Sequence, residues 1–218
     1  MRLRQALIAI PLAGAVALLP SLSPSAEYAS GAPDRWWGPG ESRAWPQRLD
    51  YANSQGTVGV LRDGPALDTR GHAFFTALGP NGRACVTCHQ PADGMSITAA
   101  TARERWAATN GRDPLFAAID GSNCPSLPQE KESSHSLLLT RGLIRVALPW
   151  PPRGDDGKAI DPEFTIEVMR DPTGCNSSPV YGLASPEPKV SVYRRPRPVS
   201  NTKYTTHQNF GVLPFIGK

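Results

Sequence analysis

Three residues with metal-binding or nucleophilic side chains stand close together in the segment 83-RACVTCHQPADGM-95. Cys85 and Cys88 are separated by two residues, and His89 follows the second cysteine directly. One turn of helix presents thiols at this spacing to the same side, where they can react with the two vinyl groups of one porphyrin edge. The following imidazole then lies beneath the metal and can supply its axial nitrogen. The pattern therefore predicts one covalent haem c, with Cys85 and Cys88 as thioethers and His89 as the proximal iron ligand.

Other uses of a cysteine pair require sequence features that this motif lacks. A thioredoxin-like redox pair requires a preceding strand and a surrounding βαβ unit, whereas 79-GPNGR-83 before Cys85 is turn-like. A zinc ribbon requires a second ligand pair at metal spacing, but Cys124 and Cys175 each stand alone. A vicinal disulfide leaves His89 without a role.

The N-terminus has the organisation of a secretory signal peptide. Arg2 and Arg4 precede an apolar run at 6–19, and small residues follow at 23–26. We predict a signal peptide at 1–26, with cleavage at neighbouring small residues and an uncleaved anchor as alternatives. The apolar run is shorter than the roughly 20 residues of a transmembrane helix. The mature protein is therefore predicted to be periplasmic, with no stable membrane span after cleavage.

Charge and composition argue against a nucleic-acid partner and for an irregular chain. The formal net charge of +4 includes the two arginines of the predicted signal peptide. No basic stripe with interleaved aromatic residues is present, so we predict no nucleic-acid binding. The 23 prolines and 20 glycines among 218 residues predict many loops and turns.

The two remaining cysteines, Cys124 and Cys175, both lie in turn-like sequence. In an exported protein such a pair is normally oxidised, so we predict a disulfide between them. A bond that closes a loop of about 50 residues stabilises the folded state by about 4 kcal/mol in the chain-entropy model. Two unpaired buried thiols are the alternative.

Short helices are predicted to position the haem motif. The first runs from Asp68 or Thr69 to Gly79, with Phe74 and Phe75 on one side. A second starts at Ser96 or Thr98 and stops at Gly111. The third starts at His135 within the leucine-rich run 135-HSLLLTRG-142.

The run at 143–148 is strand-like, and two later runs, at 164–170 and 189–195, alternate apolar and polar residues as half-buried strands do. We predict a mainly α fold: a cytochrome c-like helical haem domain at 65–218 with many loops. A small antiparallel β-sheet is appended to it by a β-prone insertion at about 143–195. The tryptophan-rich segment 27–64 is predicted to be an irregular N-terminal extension whose tryptophans bury it against the domain.

The stretch 71-GHAFFTALGPNGRACVTCHQ-90 resembles the N-terminal haem domain of the bacterial di-haem cytochrome c peroxidase superfamily. The shared features are Gly71, Phe74-Phe75, Asn81-Gly82 and the motif from Cys85 to His89. The later stretch 194-RRPRPVSN-201 is similar to the Arg/Pro-rich segment before an asparagine near the end of such domains. The clear resemblance covers roughly 65–120.

Members of that superfamily contain two haems, whereas this sequence contains one Cys-x-x-Cys-His motif. We therefore predict a c-type cytochrome that transfers electrons to a redox partner protein or a second haem domain. The alternative is the haem half of a di-haem peroxidase or oxidase-like enzyme whose second haem is missing from this chain. A haem-based gas sensor is a third alternative, for which no responsive domain is recognisable.

The sixth iron position decides between these alternatives, because a carrier fills both axial positions and a peroxidase keeps one open. The candidate ligands are Met95, His72, His207 and His135. An open position is the alternative. Arg194, Arg195 and Arg197 are candidates to pair with the haem propionates, or they form a solvated surface.

Overall fold

A computed structural model describes residues 35–53 and 55–201, which all fall in one compact unit. The predicted signal peptide and His207 lie outside these residues. Within the described ranges, no helix combines the length and the hydropathy that crossing a bilayer requires.

In the described part of the chain, six short strands pair into three antiparallel ladders of two strands each. They are β1 (Ala44–Trp45), β2 (Arg48–Asn53), β3 (Gly56–Leu61), β4 (Leu67–Asp68), β5 (Ile144–Pro149) and β6 (Lys189–Arg194). Strand β1 pairs with β4 and encloses the hairpin of β2 and β3, while β5 pairs with β6. The N-terminal segment is therefore built from two nested ladders rather than from irregular loops.

Between β4 and β5 the described chain forms three α-helices: α1 (Cys85–Cys88), α2 (Ala99–Thr109) and α3 (Ser136–Arg141). Helix α2 starts where Thr98 accepts the Thr101 N–H at 3.2 Å, and ends before Asn110 and Gly111 in left-handed conformations. The helices predicted after Thr98 and from His135 are confirmed, as are the strands of the first and last β-prone runs.

The prediction of a mainly α, cytochrome c-like helical domain is wrong. The described part of the chain is 19% helical and 19% strand, with small antiparallel sheets and many loops. Closely spaced glycine and proline residues keep the helices short, because neither is favourable in a helix interior. The residues before position 69 also form strands that were not predicted.

The helix predicted after Asp68 is a series of turns. The hydroxyl of Thr69, expected to cap that helix, donates to the Glu41 carbonyl at 2.8 Å and accepts the Arg43 N–H at 2.9 Å. It therefore ties the turns to the N-terminal segment. Gly71 has a φ of 70°, which is incompatible with a continuing right-handed helix.

The strand predicted at 164–170 is also wrong, since this segment has no ladder partner among the described residues. Its apolar side chains stay largely outside the hydrophobic clusters: Phe164 is 63% exposed and Met169 is 88% exposed. Phe164 instead lies 5.2 Å from the Trp150 ring. Alternation alone does not form a strand where no neighbouring strand is available.

The described residues contain two hydrophobic clusters, and helix α1 lies between them. The buried members of the first cluster are Trp37, Trp45, Leu49, Tyr51, Phe75, Ala84, Val86, Ala92 and Met95. Those of the second are Ile97, Ala102, Trp106, Leu115, Phe116, Leu138 and Leu139. Val86 belongs to the first cluster, and Cys88 packs against the second. The single turn of α1 is therefore held from two sides.

Gln90, directly after the motif, joins the N-terminal segment to α1. Its side chain is fully buried and accepts the Trp37 N–H at 2.9 Å. Its amide group donates to the carbonyls of Trp37 at 3.0 Å and Val86 at 2.6 Å. The buried backbone groups that meet here are therefore paired through one side chain.

Replacing Gln90 with leucine should lower the free energy of unfolding by about 2–4 kcal/mol, because buried backbone groups of Trp37 and Val86 lose their partner. Urea unfolding of the purified protein measures this difference. Gln47→Leu is the matched control, since Gln47 is exposed and its side chain donates to the Gly64 carbonyl; its effect should stay within about 0.5 kcal/mol. Equal effects of the two substitutions would show that Gln90 has no special role.

Candidate cofactor site

Helix α1 directs the two cysteines outward and the two intervening residues inward. Val86 and Thr87 are fully buried, whereas Cys85 and Cys88 are partly exposed, free thiols. The Thr87 hydroxyl accepts the Ala84 N–H at 3.1 Å, which helps to start the turn. Both cysteine residues therefore keep part of their surface exposed on a helical turn that is held by its buried residues.

His89 is held by the loop that follows it. Its Nδ1 lies 2.9 Å from the carbonyl oxygen of Met95. Because that oxygen only accepts, Nδ1 is the nitrogen that donates, and the tautomer with its lone pair on Nε2 fits this contact. Gly94 and Met95 both have a φ of 65°, and this left-handed turn brings the carbonyl back to the ring. The Val199 N–H donates to the same oxygen at 3.2 Å.

Three open cavities meet at His89. The first, of about 500 Å³, is lined by Cys85, Cys88 and His89 together. The second, of about 430 Å³, lies on the Cys85 side and includes apolar side chains of the first cluster. The third, of about 490 Å³, lies on the Cys88 side and includes Arg194, Arg195 and Arg197. His89 borders all three of these clefts, and each has a volume in the range of small-molecule sites.

Arg83 contacts the second cysteine. Its guanidinium forms an ion pair with Asp120 and donates to the Leu115 carbonyl at 3.2 Å. The same group lies 3.7 Å from the Cys88 sulfur. Burial raises the pKa of the Cys88 thiol, and the positive charge of Arg83 offsets part of that rise.

The surroundings of the motif differ from those of the alternative cysteine sites. Helix α1 follows turns, whereas a thioredoxin-like pair follows a strand. A reactive redox thiol has a lowered pKa, whereas burial raises the pKa of Cys88. Among residues 35–53 and 55–201, no three side chains of His, Cys, Asp or Glu are placed to hold a metal ion by themselves. In this part of the chain the zinc alternative therefore has no ligand set.

The structure brings two of the four candidate sixth ligands to the motif. Met95 and the exposed His72 line the Cys85-side cavity together with His89. The Met95 side chain is 8% exposed and packs in the first cluster, while its carbonyl faces the imidazole. His72 accepts the Phe74 N–H on Nδ1 at 3.2 Å.

His135 is placed apart from the motif and is fully buried. Its Nδ1 lies 2.8 Å from the Gly121 carbonyl and its Nε2 lies 2.9 Å from the Gln129 carbonyl. The ring also packs against Trp106 and Phe116. Both nitrogens therefore have partners already, and His135 has a structural role. His207 lies outside the described residues.

Arg194, Arg195 and Arg197 are exposed and border the Cys88-side cavity. Arg195 donates to the Arg141 carbonyl at 2.8 Å. No carboxylate among the described residues forms an ion pair with any of the three arginines. Their charges are available to an anionic group at this side of the site.

Gln90 and Arg83 are two site residues that sequence reasoning did not identify. Both flank the motif, but polar residues beside a motif are common, and their roles depend on partners far along the chain. Gln90 bonds to Trp37, and Arg83 pairs with Asp120. Their position next to the motif is the one feature of the sequence that points to these two residues.

Comparison with known proteins adds no relative, since no protein-family model, curated protein or solved structure matches this chain. The resemblance to di-haem peroxidase domains therefore depends on the quoted residues alone.

Proposed function

We propose that this chain is an exported c-type cytochrome that binds one covalent haem and transfers electrons. The observation that carries the proposal is the joint placement of two free thiols and an oriented imidazole. Cys85 and Cys88 lie one helical turn apart on the wall of a cavity that His89 also lines. The hydrogen bond from Nδ1 of His89 leaves Nε2 available to a metal.

The residues present fit a haem c group. Cys85 and Cys88 would form the two thioether bonds, and Nε2 of His89 would ligate the iron. When bound, the haem supplies reversible one-electron chemistry. The hydrogen bond to the Met95 carbonyl would fix the orientation of the imidazole toward the iron.

The cavity walls suit the two chemically different parts of a haem. Trp45, Phe74 and Phe75 are among the residues that line the Cys85-side cavity, where they would shield the apolar part of a bound haem from water. Water exclusion is one of the means by which a protein tunes a haem potential. Arg194, Arg195 and Arg197 lie at the Cys88-side cavity, where their charges can pair with propionates.

The proposal includes a location and a partner. The N-terminal pattern of Arg2, Arg4 and the apolar run at 6–19 supports export to the periplasm. An electron carrier requires a second redox centre, which we place on a partner protein or a second haem domain. The superfamily resemblance at 71–90 supports the second haem domain in particular.

A ferric optical spectrum of protein made in a host with cytochrome maturation tests the proposal. The carrier is supported if the haem stays attached when the protein is denatured. It also requires that the native protein has a low-spin spectrum, and that carbon monoxide does not change the spectrum of the reduced protein. High-spin iron that turns over peroxide supports the alternative, a haem half of a peroxidase-like enzyme. Colourless protein from this host would contradict both.

His89→Ala should leave the haem tethered but abolish its normal Soret band, because the thioether bonds do not involve the imidazole whereas the iron loses its axial ligand. Optical spectra and intact mass measure the two effects separately. The same substitution at the exposed His72 is the matched control, and it changes the spectrum only if that ring is the sixth ligand. An unaltered spectrum in the His89 variant would mean that the axial assignment is wrong.

A further inference from the structure

We propose that Arg83 orients and activates the Cys88 sulfur for the second thioether bond. This inference rests on the proposed function, because it concerns the covalent attachment of the haem. Arg83 donates toward the Cys88 sulfur at 3.7 Å, within the range of a hydrogen bond to sulfur. No hydrogen bond between Arg83 and Cys85 is formed, so the contact distinguishes the two thiols of the motif.

The guanidinium is held in place before any reaction occurs. Its side chain is 11% exposed, and it is clamped by the ion pair with Asp120 and by the bond to the Leu115 carbonyl. These partners lie more than 30 positions along the chain, so they fix the arginine independently of the turn that carries Cys88. A cation fixed in this way needs little rearrangement when charge develops on a neighbouring atom.

The cation is placed where the attachment reaction develops negative charge. In thioether formation, the S–H of a thiol adds across the C=C of a vinyl group. The sulfur forms a bond to one vinyl carbon, the other carbon takes up the proton, and the S–H and π bonds are lost. No oxidant or reductant is consumed. The reaction is harder at Cys88 than at Cys85, because Cys88 packs against the second cluster, where negative charge developing on the sulfur is poorly solvated.

The two cysteines should therefore depend differently on Arg83. Cys85 is expected to react without its help, whereas Cys88 needs both the orientation of its sulfur and the neighbouring charge. Arg83 and both cysteines line the same cavity of about 500 Å³, so the reacting vinyl edge and the guanidinium share one space. Loss of Arg83 should give protein whose haem is attached through Cys85 alone.

The test counts thioether bonds in protein matured in the periplasm. Arg83→Leu should slow the addition at Cys88 by roughly tenfold or more, as for other hydrogen bonds to charged groups. Protein attached once should accumulate with Cys88 unreacted. Alkylation of the denatured protein followed by peptide mass spectrometry identifies the free cysteine. The α band of the alkaline pyridine haemochrome independently reports unreacted vinyl groups through its shift to longer wavelength.

Two further variants separate activation from folding. Arg83→Lys keeps the charge without the planar fork and should restore most of the second bond. Arg103→Leu removes an exposed arginine that donates to the Leu139 carbonyl, and it should leave the thioether count unchanged. A purely structural role of Arg83 would lower attachment at both cysteines and would overturn the proposal.

The outcomes distinguish this inference from the proposed function. If wild-type protein carries two thioethers and the Arg83→Leu variant also carries two, the inference fails while the cytochrome proposal stands. If wild-type protein carries no covalent haem, the cytochrome proposal fails. Free Cys85 instead of free Cys88 in the Arg83→Leu variant would also overturn the inference.

Discussion

Replacing Cys85 and Cys88 together with serine is expected to give a colourless protein whose mass equals that of the bare polypeptide. A serine hydroxyl is a far weaker nucleophile than a thiol near neutral pH, so it does not add to a vinyl group. His89 alone then has to hold the haem through one coordinate bond, which acid and organic solvent break. Intact mass after acidified acetone extraction, with an absorption spectrum before it, measures the loss.

The single variants sharpen this expectation. Cys85→Ser and Cys88→Ser should each keep one thioether, and each should show one unreacted vinyl group in the pyridine haemochrome. The matched control replaces Cys124 and Cys175 with serine, which removes as many sulfurs and should leave the haem in place. Haem that resists extraction in the Cys85/Cys88 double variant would contradict the assigned attachment site.

Removing the disulfide between Cys124 and Cys175 should lower the free energy of unfolding by about 4 kcal/mol in the chain-entropy model. Both cysteines are fully buried, and they join positions 51 residues apart in sequence. The bond therefore limits the unfolded chain over a segment that contains α3 and β5. Urea unfolding of the Cys124→Ser/Cys175→Ser variant, beside the oxidised wild type, measures the difference.

A neighbouring serine provides the control for this experiment. Ser126 donates to the Cys124 sulfur at 3.3 Å and is itself exposed. Ser126→Ala should change the free energy of unfolding by no more than about 0.5 kcal/mol. A double cysteine variant as stable as wild type would mean that the cross-link contributes nothing beyond its local packing.

Helix α2 and strand β6 were predictable because their signals are local, whereas the same local alternation at 164–170 gave a strand that does not form. The cap at Thr98, the stop at Gly111 and the alternation in the run of β6 each depend on neighbouring residues. The disulfide followed from cysteine number and compartment, and the structure confirms it. The strands before Asp68 depend on pairing between distant residues, such as Ala44 with Asp68, which a single sequence does not reveal.

The candidate site likewise contains residues that local sequence points to and residues that it does not. Cys85, Cys88 and His89 were proposed from spacing, since the chemistry expected of the motif is contained within five consecutive positions. The groups that support them come from elsewhere: Trp37 reaches Gln90, and Asp120 reaches Arg83. Such contacts arise only when the chain is folded, so residue type and local spacing do not point to them.

The carbonyl oxygen of Met95 serves two donors, Nδ1 of His89 and the N–H of Val199. Val199, which lies more than a hundred positions after the motif, therefore bonds to the same atom as the imidazole. On the N-terminal side of the motif, the Trp37 N–H donates to the Gln90 side chain. A truncated form made for expression has to begin before Trp37 and extend past Val199 if it is to keep the ring in its native setting. A peptide that contains the five motif residues alone lacks both hydrogen bonds and is a poor mimic of the site.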